Sequence, residues 1–455
     1  MEYNLDTARN IFLKELKNNP QNPNLRKIKK ALDFSQKAHQ GDLRKSGEPY
    51  FIHPLETAKN LNKWEQDTES ICAGLLHDVV EDTPLTLSNI RKEFGSQITN
   101  LVDGVTKVSE VDFHRNKKEK FANNLRKMFL AMSKDLRVVV IKLADRLHNM
   151  KTIQYLSPQA QSKLSEETRS VYAPLAYKMG MSEVSGDLRE LCFKTQRPKD
   201  FQWVTEYAKQ AMDKREEIIK AINFELEHIF KKEPLKLIKT ETRRKNWYSL
   251  FAKLHRKEIN KNLDEVYDLV ITCVVVPKKR DCYTALGIIH ENYKPVPHVG
   301  ISNFIAQPKP NGYEALHTRV FDKNSGSIFE IQIRDKNMHQ RADFGLAIHL
   351  THAQTDSEKV EKIRYWTQKL IEWQENFMKE ESEQFLGELA EKVLKPDIYV
   401  IDKELGVVPV AEGSTIKDYL KATNRPAKST VLLDKKQMGP SAKILSGSFI
   451  EVSSN

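Results

Sequence analysis

Residues 138–147, VVVIKLADRL, are apolar on nearly every side. A helix of that kind has no wet face and belongs at the centre of a bundle, walled in by other helices. The flanking sequence supplies the walls. Residues 1 to about 195 keep a helical apolar period almost throughout, as in Leu125, Met128, Phe129 and Met132 at i, i+3, i+4 and i+7. Pro84 and Pro158 mark loops, and the charged run 114–120, HRNKKEK, reads as a connector. The first unit is therefore expected to be all-α.

The texture then changes. Residues 200–232 predict a long amphipathic helix (Val204, Tyr207, Ala211, Ile218, Ile222, Leu226, Ile229) bridging to a second unit. There, 235–240, 266–276, 315–321 and 327–333 are strand-like, while 281–292 and 335–380 are helical. That mixture describes an α/β domain on one sheet. Strands at 397–402, 407–410 and near Val431 and Ile450, with a short helix at 415–422, predict a small β-grasp unit without a catalytic cluster. At about 150 residues per domain, 455 residues agree with three units. The expected division is 1–196 helical domain, 197–232 helical linker, 233–380 α/β domain, 381–394 linker and 395–455 β-grasp domain.

With 39% apolar residues the chain can fill several cores, which excludes wholesale disorder. No stretch approaches 18 consecutive apolar residues and no secretory leader is visible, so a cytoplasmic protein without a membrane span is expected. The four cysteines lack CxxC spacing and read as reduced core thiols. A net charge of +11 suits a polyanionic ligand, nucleotide phosphates or RNA, and equally a solvated lysine surface.

Asp145 lies inside the apolar helix, where an unpaired carboxylate costs roughly 3–5 kcal/mol. Arg146, its neighbour in sequence, points elsewhere. A second acidic cluster follows the apolar run 73–76: His77 and Asp78, with Glu81 and Asp82 four residues on, crowd one helical face. Packed carboxylates repel and titrate upward unless a cation joins them. Adding His53, from Tyr50-Phe-Ile-His53-Pro54, gives two imidazoles and two carboxylates (His53, His77, Asp78, Asp145), a donor set that suits Mn, Fe or Zn. Taken by themselves these residues also allow a plainer reading, with His53 capping a helix and Asp145 paired with a lysine.

Three motifs narrow the choice: 44–54 RKSGEPYFIHP, 77–83 HDVVEDT and 142–152 KLADRLHNMKT. In this order they resemble the HD hydrolase domain of long RelA/SpoT homologues, proteins that make and destroy guanosine tetra- and pentaphosphate. The resemblance runs from about residue 25 to the end. It implies that His53, His77, Asp78 and Asp145 bind Mn2+, that Glu81 and Asp82 orient and deprotonate water, and that Arg44, Lys45, Ser46, Asn149 and Thr152 hold the nucleotide.

The second domain resembles the pyrophosphokinase (synthetase) domain of the same family, a nucleotidyltransferase-like fold that transfers pyrophosphate from ATP to GDP or GTP. Arg243, Lys245, Ser249 and Lys253, before and along a short helix, then match triphosphate-binding positions. Asp268 and Glu330 match Mg2+ carboxylates, Tyr313 a guanine-stacking ring, and His317 and Gln332 their usual neighbours. The departures weigh more. Cys273 stands where the family strand has arginine, 300–303 reads GISN in place of Arg-x-Lys-Asp, and Glu314 replaces glutamine beside Tyr313. Three lost charged contacts at about 1.5–3 kcal/mol each would cost on the order of 10³- to 10⁶-fold in rate. Mg2+ is expected only if that site is active. The last unit resembles a TGS domain, through which a ribosome or a regulatory protein would be met; neither a membrane nor direct DNA binding is expected, and the basic surface shows no aromatic-interleaved RNA motif.

Three readings follow: a metal-dependent (p)ppGpp 3′-pyrophosphohydrolase with a degenerate pseudo-synthetase domain, a bifunctional synthetase/hydrolase, and a non-catalytic alarmone-binding regulator.

Overall fold

The computed structural model describes residues 5–106, residues 125–350 apart from 128, 133, 257–258, 298–299, 310, 346 and 348–349, and then 395 and 397–453. The expected connector 114–120 and the stretch 351–394, with its helical period and linker, lie outside the described residues.

The Arg137–Lys151 helix is buried continuously from Val138 to His148. Helices Ile52–Lys63, Thr68–Leu76, Ser96–Thr106 and Ser182–Gln196 pack around it, as its lack of a polar face requires. Thr68–Leu76 is capped by Asp67, whose carboxylate accepts from the Ser70 amide. Gly74 lets this helix close on Ile52–Lys63, since a Cβ there would lie 2.4 Å from Leu61 Cδ1. That close approach brings His53 and His77 to one end of the same bundle.

The second unit is a mixed sheet of β1 (Lys239–Arg244), β2 (Val270–Val276), β3 (Lys294–Pro295), β4 (Ser302–Asn303), β5 (Leu316–Asp322) and β6 (Ser327–Asp335). Its order is β1-β2-β6-β5-β3, with β4 also on β5, and only β2 and β6 run parallel. Val270 to Val276 are buried at every position, as expected of a strand covered on both faces. Two expectations shift here. β1 falls at Lys239–Arg244 rather than 235–240; all six of its residues are polar because an edge strand needs no apolar alternation. Arg243 stands on this strand, ahead of the expected short helix, Trp247–Leu254, along which Lys253 lies. The helix expected as a bridge, Pro198–Phe230, packs Val204, Ala208, Met212, Ile219, Ile222, Leu226 and Phe230 into the core of the sheet domain. Its apolar stripe is long enough to build a core, not merely to span between two.

Helices Ser182–Gln196 and Lys336–Phe344 join the two units. Gly345, at φ 56°, lies so close to Met179 that a Cβ would meet its carbonyl oxygen at 2.2 Å. Asn311 Nδ2 donates to Ser182 Oγ at 3.3 Å, and the Trp247 amide donates to Glu190 Oε2 at 2.6 Å.

The last unit holds β7 (Asp397–Asp402), β8 (Gly406–Ala411), β9 (Thr430–Leu433), β10 (Lys436–Gln437) and β11 (Phe449–Ser453), ordered β10-β9-β11-β7-β8 with β11 parallel to β7. Helix Ile416–Ala422 fills one side through Ile416, Tyr419 and Leu420. This is the β-grasp arrangement expected from the strand spacing. Among the described residues no helix is long and apolar enough to cross a membrane.

Candidate metal centre

His53 sits in the first turn of Ile52–Lys63, His77 and Asp78 follow the end of Thr68–Leu76, and Asp145 projects from the central helix. The bundle brings all four together. His53, His77 and Asp78 each offer a ligand atom within 4.8 Å of the others. Asp145 Oδ1 lies 3.2 Å from His53 Nε2 and 4.0 Å from His77 Nε2, and Asp78 Oδ2 lies 3.3 Å from His53 Nε2.

The hydrogen bonds behind the imidazoles orient them. His77 Nδ1 is 2.9 Å from the Gly74 carbonyl oxygen and must donate to it, which in the neutral ring leaves a lone pair on Nε2. That Nε2 is buried and makes no hydrogen bond, although Asp78 Oδ1 is 3.0 Å away. A lone pair facing carboxylates is unfavourable without a cation between them. An orphaned buried nitrogen, a second imidazole and two carboxylates fit a divalent transition metal, and the Gly74 bond is the usual partner of a metal-bound histidine.

Asp145 has a lysine partner on one oxygen and leaves the other toward the imidazoles. Oδ2 pairs with buried Lys142 Nζ at 2.8 Å, while Oδ1 faces the imidazoles and accepts from Asn149 Nδ2. The lysine of the plainer reading is Lys142, which sits one turn back on the same helix and takes the oxygen the imidazoles leave. Arg146 does point elsewhere, with its guanidinium 4.1 Å from the Tyr172 ring centroid. Burial pushes the Asp145 carboxyl up, but the Lys142 ammonium works against burial and the carboxyl is held well below the usual range.

The helix breaks at His77–Asp78 and resumes as Val79–Asp82, so the expected single helical face is two short segments. Tyr50 joins them: its hydroxyl is 2.6 Å from Asp82 Oδ2 and 3.0 Å from Asp78 Oδ2. Burial, then the Asp78 charge and Asp82, raise its pKa, so the phenol stays a donor. Glu81 and Asp82 are exposed at the rim.

The predicted nucleotide residues converge beside the centre. A tight turn with Gly47 at φ 84° presents Arg44, whose Nη2 donates to Asn149 Oδ1 at 3.1 Å and Thr152 Oγ1 at 3.4 Å. Lys45 is exposed on this turn and Ser46 Oγ donates to Glu48. Arg44 Nη1 also reaches His148 Nδ1 at 3.0 Å, and His148 Nδ1 is 2.8 Å from His53 Nδ1. Burial, then His53 and Arg44, push the His148 pKa down to about 3. The sequence reading missed His148, Tyr50 and Lys142. The signal for His148 was present: Asp145, His148, Asn149 and Thr152 fall at i, i+3, i+4 and i+7, one face of a helix.

On the sheet domain the candidate synthetase residues also gather, but they satisfy one another. Asp268 gives one oxygen to Lys253 at 2.7 Å and the other to Lys245 at 2.6 Å. Glu330 meets His317 Nδ1 at 3.1 Å and accepts from Gln332. The Tyr313 hydroxyl bonds His317, Gln332 and Arg334, and its ring lies 4.9 Å from the Arg334 guanidinium and 5.0 Å from Lys309 Nζ. Arg243 pairs with Asp343 at 2.8 Å, and the Ser249 amide donates to the Asn246 cap. Cys273 is fully buried between Glu241 and Gln332 in register. Glu314, which stands in place of glutamine beside Tyr313, is paired with Arg341 and lies 3.5 Å from Lys279.

A family profile described as an HD domain matches residues 31–182, and one described as a region found in RelA/SpoT proteins matches 242–357. The chain is 38% identical to a Myxococcus xanthus protein named GTP pyrophosphokinase, over 88% of this chain and 52% of that one. It is 34% identical to a Borreliella burgdorferi guanosine-3′,5′-bis(diphosphate) 3′-pyrophosphohydrolase, over 91% of this chain and 61% of that one. It is 35% identical to the bifunctional (p)ppGpp synthase/hydrolase SpoT of Escherichia coli K12, over 88% and 56%. The chain thus spans about half to three fifths of these relatives' length. With an HD domain followed by a RelA/SpoT region, at 34–38% identity across most of its residues, it belongs to the RelA/SpoT family.

Proposed function

We propose that the helical domain is a Mn2+-dependent 3′-pyrophosphohydrolase that converts (p)ppGpp to GDP or GTP and pyrophosphate. The observation that carries the reading is the buried His77 Nε2, hydrogen-bonded to nothing and facing aspartates, with the Arg44 guanidinium held by His148 and Asn149 on the adjoining helix. His53, His77, Asp78 and Asp145 would hold the ion. When bound, it supplies Lewis acidity that lowers the pKa of water in the site. Asp82, oriented by Tyr50, accepts the proton at the rim, with Glu81 one residue away. Arg44 and Lys45 neutralise the 3′-pyrophosphate as it leaves, and Ser46, Asn149 and Thr152 frame its seat.

The sheet domain, on this reading, synthesises alarmone weakly or not at all. Supporting this are Cys273 in place of an arginine, both Asp268 oxygens held by lysines, and a Tyr313 ring flanked by two cations. A bifunctional enzyme, using Mg2+ at Asp268 and Glu330, is the second reading, favoured by the Myxococcus relative's name. The β-grasp unit would serve as a TGS-type docking module for a ribosome or regulatory protein.

Purified protein incubated with ppGpp should release pyrophosphate and GDP with MnCl2 and not with EDTA. His77→Ala should abolish the release, and a fully active variant would remove the site assignment. Labelled ATP, GDP and Mg2+ test the other domain: robust tetraphosphate formation would establish the bifunctional reading.

A further inference from the structure

We propose that His148 is a positioning residue: it fixes the tautomer of His53 and links that metal ligand to the anion-seating Arg44. The inference rests on the metal-centre reading above and concerns a residue with no place in it so far. Proton bookkeeping carries it. A guanidinium has only donors, so Arg44 Nη1, 3.0 Å from His148 Nδ1, compels that nitrogen to be an acceptor. His53 Nδ1 approaches the same nitrogen at 2.8 Å and must then be the donor. With its proton committed to Nδ1, a neutral His53 presents a lone pair at Nε2, the atom that faces Asp78 and Asp145. The ligand-competent tautomer is therefore imposed from behind, through a buried ring stacked on His53 at a centroid distance of 5.0 Å.

One lone pair on His148 serves two donors. When a substrate's phosphate draws Arg44 toward itself, that lone pair passes wholly to His53, which strengthens the Nδ1–H bond and makes Nε2 a better ligand. Asn149 provides a second arm of the same kind, since it accepts from Arg44 through Oδ1 and donates to Asp145 through Nδ2. Both arms start at Arg44 and end on a metal ligand, because positions 148 and 149 lie one turn beyond Asp145 on one helix face. Anion seating and metal grip are coupled by two consecutive residues.

The test uses the metal-free full chain and MnCl2 alone, titrated calorimetrically. His148→Leu should weaken Mn2+ binding about 10- to 100-fold, the usual cost of losing such a supporting bond. His148→Asn, whose Oδ1 falls near the lost Nδ1 and accepts from both donors, should recover most of that affinity. Wild-type affinity in His148→Leu, or an asparagine variant no better than leucine, would overturn the proposal. If His77→Ala also leaves Mn2+ affinity unchanged, the metal-centre reading itself fails and takes this proposal with it; loss on His77→Ala with none on His148→Leu refutes the relay alone.

Discussion

Replacing Lys142 with methionine isolates the electrostatics of the centre from its ligands. The side chain is 11% exposed, and its ammonium is 2.8 Å from Oδ2 of Asp145, whose side chain is 6% exposed. Methionine matches the aliphatic stem, so the variant leaves one carboxylate in an apolar helix without its cation. Breaking a buried pair from one side costs about 3–5 kcal/mol. For a domain near 200 residues each kcal/mol shifts Tm by about 2–4 °C, so metal-free Lys142→Met should melt roughly 6–20 °C below wild type. Saturating Mn2+ neutralises Asp145 from its other oxygen and should close much of that gap. Circular dichroism melts of the full chain, with and without MnCl2, read both numbers, and the helical domain is identified as the transition that the metal shifts. Equal melting of metal-free variant and wild type, or a gap indifferent to Mn2+, would refute the account of Asp145 as a carboxylate shared between lysine and metal.

Tyr50→Phe removes the donor that joins Asp78 and Asp82; at about 1.5–3 kcal/mol for a bond to a carboxylate, kcat for ppGpp hydrolysis should fall roughly 10- to 150-fold with KM little changed. A KM effect alone would place Tyr50 in substrate seating instead. Asp268, held at about 2 against an ordinary 3.8 by Lys245 and Lys253 acting against burial, should stabilise the sheet domain by about 2 kcal/mol. Because the folded pKa is depressed, this contribution is present above pH about 4 and lost as pH falls toward 2, so wild type and Asp268→Asn should differ in denaturant midpoint at pH 7 and converge in acid; a gap independent of pH would sink the assignment. Gly345→Ala, at a left-handed φ and 2.2 Å from the Met179 carbonyl oxygen, should force the junction open and raise hydrogen exchange at 179–182 and 336–345. Unchanged protection there would show that the junction absorbs the methyl group.

The apolar period of 138–147 was enough to place a helix at the centre of a bundle, because a segment without a polar face has nowhere else to go. Strand spacing likewise gave the β-grasp unit, down to the helix capped by Thr415. The polar edge strand Lys239–Arg244 escaped notice for the opposite reason: paired on one side and wet on the other, it has no pattern to read. Motifs named the four ligand candidates, but a motif lists residue types and says nothing about which atom carries a proton. For the imidazoles that was decided by groups far apart in sequence, with Arg44 setting His148 and His148 setting His53, whereas Lys142 claims one oxygen of Asp145 from three residues back on the same helix. The same limit applies to the sheet domain, where single substitutions announced a loss but only packing showed Asp268 and Tyr313 occupied by their neighbours. Sequence determines which side chains are buried, because burial follows from hydrophobic periodicity along one segment. Hydrogen-bond direction and charge partnering depend on the approach of separate segments to within about 3 Å, and tertiary structure alone fixes that.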